Sequence, residues 1–308
     1  MVEPRRVRSD KCAAALIQVD CPAGATAPRA RTEARAAAQG APGASISLER
    51  DTEQLAAVYD RVGFRQFEHG EVLLQDLVLK PGDKVLDVGC GTGQLTAWVH
   101  ARVQPGGRAT GIDPLPHRVR LATRNHPGLD FRVGRAEHLE GFAEGSFDGL
   151  YLNSVLHWIV NQDRALSEAW RVLRPGGRIA LNSADRERPH DSALLLATAL
   201  AKEHLERPSA NRGGPSHRLS AKALGQLLES KGFVDVVVRR CSFVDQLAGV
   251  DEFIDWSLSS SFGNWLADLT SEETGRVRTR IEALLEERRS GTGIALARHM
   301  VFASARRP

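Results

Sequence analysis

The sequence predicts an α/β protein built on a doubly wound, mostly parallel sheet of seven strands, with a helical insertion before the last strand. Three observations carry this expectation. An apolar run ends in a glycine-rich turn that opens a helix (Val85 to Gly93), strand and helix patterns then alternate up to residue 183, and about 60 residues separate the last two strand-like runs. Strands that alternate with helices need crossover connections, which set the strands parallel with helices on both faces.

Before the sheet, Thr52 to Arg61 and Glu71 to Val78 read as helices. Leu55, Val58 and Tyr59, then Leu73, Leu74, Leu77 and Val78, fall on apolar faces at helical spacing. Pro81-Gly82-Asp83 stops the second helix. The alternation then runs strand 84–88, helix 93–102, strand 108–112, helix 115–124, strands 129–133 and 147–152, helix 163–173, strand 177–183. Pro175-Gly176-Gly177 cuts off the helix carrying Leu166, Trp170 and Leu173 and feeds the strand of Ile179 and Leu181. Ala221 to Ser230 is a further helix, and Val234 to Arg239 and His299 to Ala305 are the last two strands.

A hairpin between those two strands needs only about 2–5 residues, so the long gap signals an insertion. Within it Val277, Ile281, Leu284 and Leu285 recur at helical spacing, and Phe253, Trp256, Leu258, Phe262, Trp265 and Leu266 form an aromatic, apolar group. Most of that group reads as the insertion's own core, with one or two aromatics left to cover a substrate. Residues 46–308 are expected to form one domain with helical lid insertions at about 184–220 and 243–292.

Residues 1–45 are rich in Ala, Arg, Pro and Gly and poor in large apolar groups, so they cannot offset their ordering entropy and read as a disordered tail. Glu3, Asp10, Asp20 and Glu33 spoil an organelle-targeting reading of this Arg-rich stretch. The net charge of +3 also belongs to the N-terminus, because residues 1–50 hold eight Arg or Lys against five acids. The remaining body is formally neutral, which gives no electrostatic footprint for nucleic acid. No apolar run approaches the length of a membrane span. Cys12, Cys21, Cys90 and Cys241 show no metal-ligand spacing, so a reducing, cytoplasmic setting and no metal are expected.

Two nucleotide-binding readings compete for the loop after Val88. A dinucleotide loop is spaced G-x-G-x-x-G and presents amides to phosphate, whereas here Gly89, Gly91 and Gly93 are spaced more tightly and follow Asp87. A carboxylate repels phosphate but suits a ligand with an ammonium and a sulfonium, so the loop reads as a site for S-adenosylmethionine. Asp113 ends the next strand about 20 residues beyond the glycines, where an acid grips ribose hydroxyls in nucleotide folds.

Together these residues resemble the class I S-adenosylmethionine-dependent methyltransferases over residues 46–308, and the resemblance implies their Rossmann-like fold. Val85 to Gly93 matches the family's first motif and Asp113 its ribose acid. Gly134-Arg135-Ala136-Glu137 falls where the family lines the adenine pocket, although the acid is commonly Asp one position earlier. Phe147 to Trp158 is similar to the fourth strand and the loop facing the methyl group, and Leu173 to Gly177 to the turn before strand five. By this likeness the cofactor contacts are Tyr59, Asp87, Gly89, Cys90, Gly91, Thr92, Gly93, Asp113, Pro114, Ala136, Glu137, Asn153 and Ser154. Tyr59 resembles the residue that closes over the cofactor's carboxylate.

Leu156-His157-Trp158 is similar to the loop of small-acid methyltransferases of the trans-aconitate and juvenile hormone acid type, but residues 182–190 depart from that pattern. Substrate identity therefore does not carry over. Arsenite methyltransferases need converging thiolates, and Ser154 and Val155 stand where one such Cys is expected. Nucleic-acid amino methylation lacks its Asn-Pro-Pro-aromatic run.

The expected activity is methyl transfer to a small-molecule acceptor, at an oxygen of a carboxylate or hydroxyl. The alternative is a cofactor-binding cyclase or regulatory module on the same fold. Methyl transfer is an in-line displacement driven mainly by orientation, with His157 and Trp158 as candidates at the reacting end. His157 orients the acceptor, or serves as base if the acceptor is a phenol, alcohol or amine. His190, His204 and His217 read as surface or substrate-lid residues without metal-ligand spacing. The sequence leaves the oligomeric state open.

Overall fold

The computed structural model describes residues 18–20, 47–205, 217–266, 269–291 and 293–308. Its sheet consists of β2 (Lys84–Val88), β3 (Arg108–Asp113), β4 (Asp130–Val133), β5 (Phe147–Asn153), β6 (Leu173–Ala184), β7 (Val234–Leu247) and β9 (Gly293–Arg306). Two short pieces, β1 (Gln18–Asp20) and β8 (Arg289–Ser290), are added at its margins. The spatial order is β1-β7-β9-β6-β5-β2-β3-β4, with β8 on β9. Pairs from β4 across to β6 are parallel, whereas β9 runs antiparallel to both β6 and β7. All seven expected strands are present.

Neighbouring residues on each strand serve opposite faces, as the period of two requires. Val85, Ala109 and Tyr151 pack with Leu73 and Leu77 of α2 (Phe64–Leu74) and the turn after it, and with Val99 of α3 (Gln94–Arg102). Leu86, Leu150 and Leu152 pack on the other face with Leu166 of α5 (Gln162–Val172) and Leu224 and Leu228 of α7 (Ala221–Ser230).

Two elements differ from the periodicity-based expectation. The second N-terminal helix is α2, which starts seven residues earlier than Glu71 and follows α1 (Glu53–Val62) directly. Its buried face begins with Arg65 and His69, polar residues that hide the apolar stripe until Leu73. The last two strands extend to 14 residues each as one antiparallel ribbon from Val234↔Arg306 to Leu247↔Ile294. Ion-paired Asp245 and Arg298 interrupt the apolar alternation there and conceal the extra length.

The far end of this ribbon carries a second core. Leu247, Ile294 and Leu296 meet Leu195 and Leu196 of α6 (Asp191–Lys202), Phe253 of α8 (Val250–Ser260), and Ile281 and Leu285 of α9 (Ser271–Glu286). A reciprocal capping box between Thr270 and Glu273 starts α9. Of the N-terminal tail, residues 18–20 pair antiparallel with β7. The rest of that tail lies outside the described residues, as do Cys12, Cys21 and residues 206–216 of the first lid insertion. Cys90 and Cys241 are buried thiols. Among the described residues no helix is long and apolar enough to cross a membrane.

Candidate active site

The loop after β2 takes its shape from glycine. Gly89 and Gly93 have φ of 86° and 83°, and a Cβ at Gly89 would lie 2.2 Å from Val155 Cγ2 while one at Gly93 would lie 2.6 Å from Phe131 Cζ. No side chain satisfies both the backbone and the space. The loop is tied to β3, since the amides of Gly89 and Cys90 both donate to the carbonyl of Ile112, at 2.7 and 2.9 Å.

Asp113, at the end of β3, accepts from the Gly91 amide on one carboxylate oxygen at 2.9 Å and from the Leu115 amide on the other at 3.0 Å. Burial pushes its pKa up, against the opposing charge of Arg118. Arg118, on α4 (Pro116–Asn125), lies 3.8 Å from the centroid of the Tyr59 ring, and that ring covers Gly91.

One cleft opens above these elements at the carboxyl ends of the parallel strands, where open α/β sheets bind ligands. Tyr59, Gly89, Asp113 and Pro114 line it, as do Ala136 and Glu137 on the next loop. Asn153, Ser154, His157 and Trp158 line it as well. Asp87, Cys90, Gly91, Thr92 and Gly93 stand behind this wall. Asp87 is therefore placed differently from the expected cofactor contact: it is buried, and its Oδ2 accepts from the hydroxyls of Thr96 and Tyr151, each at 2.6 Å. Burial raises its pKa to about 7.

His157 sits on a single 3₁₀ turn, Leu156–Trp158, and is buried. Its Nδ1 accepts from the Ala184 amide at 3.1 Å and lies 3.2 Å from Ser183 Oγ. Burial, reinforced by the charge of Arg218 and by His190, holds its pKa well below the usual imidazole range. A neutral ring that accepts at Nδ1 carries its proton at Nε2. Trp158 packs against His157 at 5.4 Å and against Phe262 of the insertion at 4.9 Å between ring centroids.

A buried polar chain, unseen in the sequence, reaches the cleft beside His157. Arg298 on β9 is held by Asp245 through two hydrogen bonds of 3.0 and 2.9 Å and donates to Nδ1 of His69. Arginine has no acceptor, so this contact fixes the His69 tautomer with its proton on Nε2, 2.9 Å from Ser154 Oγ. Burial and Arg298 keep His69 well below its usual pKa, hence neutral. Ser154 itself has φ of 61°, and its amide donates to Asn182 Oδ1 at 2.7 Å. The Asn153 amide is spent on Gln66 O and Asn182, both at 2.8 Å.

The only hint of this chain in the sequence is the spacing of Arg65 and His69, one turn apart on α2. Arg298 lies 229 residues away, so no local pattern links it to His69. Of the three lid histidines, His190 lines the cleft, donates from Nε2 to the His299 carbonyl at 2.8 Å, and is pushed down to about 3 by burial. Among the described residues no group of three or more His, Cys, Asp or Glu could hold a metal ion.

The residues present fit S-adenosylmethionine. The glycine cradle has no room for even a Cβ at Gly89, Asp113 faces the cleft, and Arg118, which lines it, has its Nε buried without a partner. A buried polar group without a partner calls for an explanation, and a polar ligand in the cleft supplies one.

Comparisons with known proteins agree. A family model described as a methyltransferase domain matches residues 86–181. The trans-aconitate 2-methyltransferase of Deinococcus radiodurans is 29% identical over 234 residues, covering 74% of this chain and 88% of the relative. An S-adenosyl-L-methionine-dependent Diels-Alderase of Talaromyces variabilis is 32% identical over 180 residues, 56% of this chain and 60% of the relative. In fold, the chain superposes on the crystal structure of the YcgJ protein of Bacillus subtilis with a TM-score of 0.53 at 17% identity, covering 78% of this chain and 98% of that one. The loop, the buried acid at the end of β3 and these matches converge: the chain carries a methyltransferase domain and is similar in sequence to S-adenosylmethionine-dependent methyltransferases, whose fold it shares.

Proposed function

We propose that the enzyme methylates a carboxylate oxygen of a small molecule with an apolar body. The observation that carries this reading is the occupied Nδ1 of His157, which leaves the residue a proton to offer and no lone pair to take one. A phenol, alcohol or ammonium acceptor must lose a proton during transfer, and a base is worth about 10²–10⁴-fold in such reactions. A carboxylate is already ionised at neutral pH and needs none.

The bound cofactor supplies a methyl group made electrophilic by its sulfonium. The chain's own part is to orient. His157 Nε2–H can hold one carboxylate oxygen while the other faces the methyl group, and orientation of this kind contributes roughly 7–11 kcal/mol. Trp158, Trp256 and Phe262 wall the acceptor side with apolar surface, and the buried indole N–H of Trp256 has no partner. Arg218 on the same wall favours an anion there. That relatives include trans-aconitate 2-methyltransferases supports an acid as acceptor.

The relative described as a Diels-Alderase favours a second reading, cyclisation without methyl transfer. A labelled-methyl assay over acids, phenols, amines and terpenoids separates the two. The expected product is a methyl ester that releases labelled methanol on mild alkaline hydrolysis, with S-adenosylhomocysteine formed in equal amount. Label that stays on the cofactor throughout, or moves only to phenols or amines, rejects the proposal.

A further inference from the structure

The geometry points to Arg118 as a second ribose-binding residue, donating hydrogen bonds to the cofactor's hydroxyls where Asp113 accepts them. Arg118 is only 4% exposed and lines the cleft. Its guanidinium is clamped between aromatic rings, 3.8 Å from the Tyr59 centroid and 5.0 Å from that of Phe262, and Nη2 donates to the Ser259 carbonyl at 2.5 Å. Its Nε is buried without a partner. Asp51 is also buried, and the charge of Arg118 opposes the rise that burial imposes on its pKa. A buried cation thus lines the cleft together with Asp113, with hydrogen-bonding capacity unused.

The chemistry of a vicinal diol matches what is missing. Each ribose hydroxyl has one proton to give and lone pairs to fill, and a carboxylate can only accept while an arginine can only donate. Asp113 already takes two main-chain amides, so a diol placed against it still lacks a donor. Arg118 is the cation whose charge acts on Asp113 most strongly, and it is held in place from three sides by Tyr59, Phe262 and Ser259. Clamping lowers the ordering cost of using it for recognition.

Calorimetry of the full chain with S-adenosylhomocysteine and its 2′-deoxy and 3′-deoxy analogues tests this without any turnover. The wild-type protein should lose at least tenfold in affinity for one or both analogues. Arg118→Met should bind S-adenosylhomocysteine at least tenfold more weakly and distinguish it from the analogues less. Arg118→Lys, which keeps the charge without the planar fork, should fall between. If Arg118 only straps α4 to the end of α8, Arg118→Met melts at a lower temperature yet keeps wild-type affinity and the full deoxy penalty, and that result overturns the proposal. Equal wild-type affinity for all three ligands overturns it too. Should Arg118→Met fail to fold, Arg118→Lys with the same three ligands decides, an undiminished deoxy penalty counting against the assignment.

Discussion

The main-chain N–H of Ala184 donates to Nδ1 of His157 at 3.1 Å, a bond that joins the end of β6 to the turn after β5 and determines which ring nitrogen carries the proton. A residue whose type suggested a base is thereby a donor.

The first consequence is a rate profile without a histidine limb. With the pKa of His157 held well below 6.5, kcat/KM for an acid acceptor should stay level from pH 6 to 8. His157→Phe removes a hydrogen bond to a charged group, worth about 1.5–3 kcal/mol, or roughly 10–150-fold in kcat/KM. His157→Gln keeps a donor and should recover most of the loss. A profile that rises about tenfold per pH unit through 6 to 7 would show base catalysis instead.

His69 offers a matching comparison. His69→Leu leaves Arg298 and Ser154 each short of a partner, and an unsatisfied buried group costs about 1–3 kcal/mol. His69→Gln can accept from Arg298 and donate to Ser154 with one side chain. Urea unfolding should therefore place the Leu variant well below wild type and the Gln variant between them. Equal stability of the two variants refutes the relay.

Asp87 and the cleft histidines act on stability with opposite signs. The folded pKa of Asp87 is raised to about 7, so its contribution is fully present below its unfolded value near 3.8 and is lost as pH rises through 7. His69, His157 and His190 are depressed, so theirs is present above 6.5 and is lost as pH falls below it, where only the unfolded chain takes up protons. Asp87→Asn removes the compensating slope. The melting temperature of this variant should drop more between pH 7 and pH 5 than that of wild type, and an equal drop contradicts the assignment.

Gly89→Ala meets two obstacles, a clash with Val155 and a left-handed backbone that costs a non-glycine residue about 1–2 kcal/mol. Affinity for S-adenosylhomocysteine should fall at least tenfold. Adding Val155→Ala should restore only part of it, because space returns and the backbone cost does not. Complete rescue in calorimetry would mean the clash was the whole effect.

Local chemistry made the scaffold legible. Seven strands, the glycine turn and Asp113 were all visible because each depends on a short run: an apolar stretch, a positive φ, an acid at a strand end. The insertion's core was visible too, since Val277, Ile281, Leu284 and Leu285 lie on one face at helical spacing. Where polar residues serve a buried face, as Arg65 and His69 do on α2, periodicity misplaced the start of the helix.

The sequence by itself determined the fold and the cofactor, through patterns read within a few residues of one another. Only the tertiary structure decided the protonation and placement of the site. It withdrew Asp87 behind the wall, turned His157 into a donor through Ala184, and brought Arg298 to His69 and Arg118 to Tyr59 across 229 and 59 residues of chain. Which nitrogen holds a proton, and which charge is shielded from water, depend on neighbours supplied by distant strands, and no spacing rule along the chain encodes them.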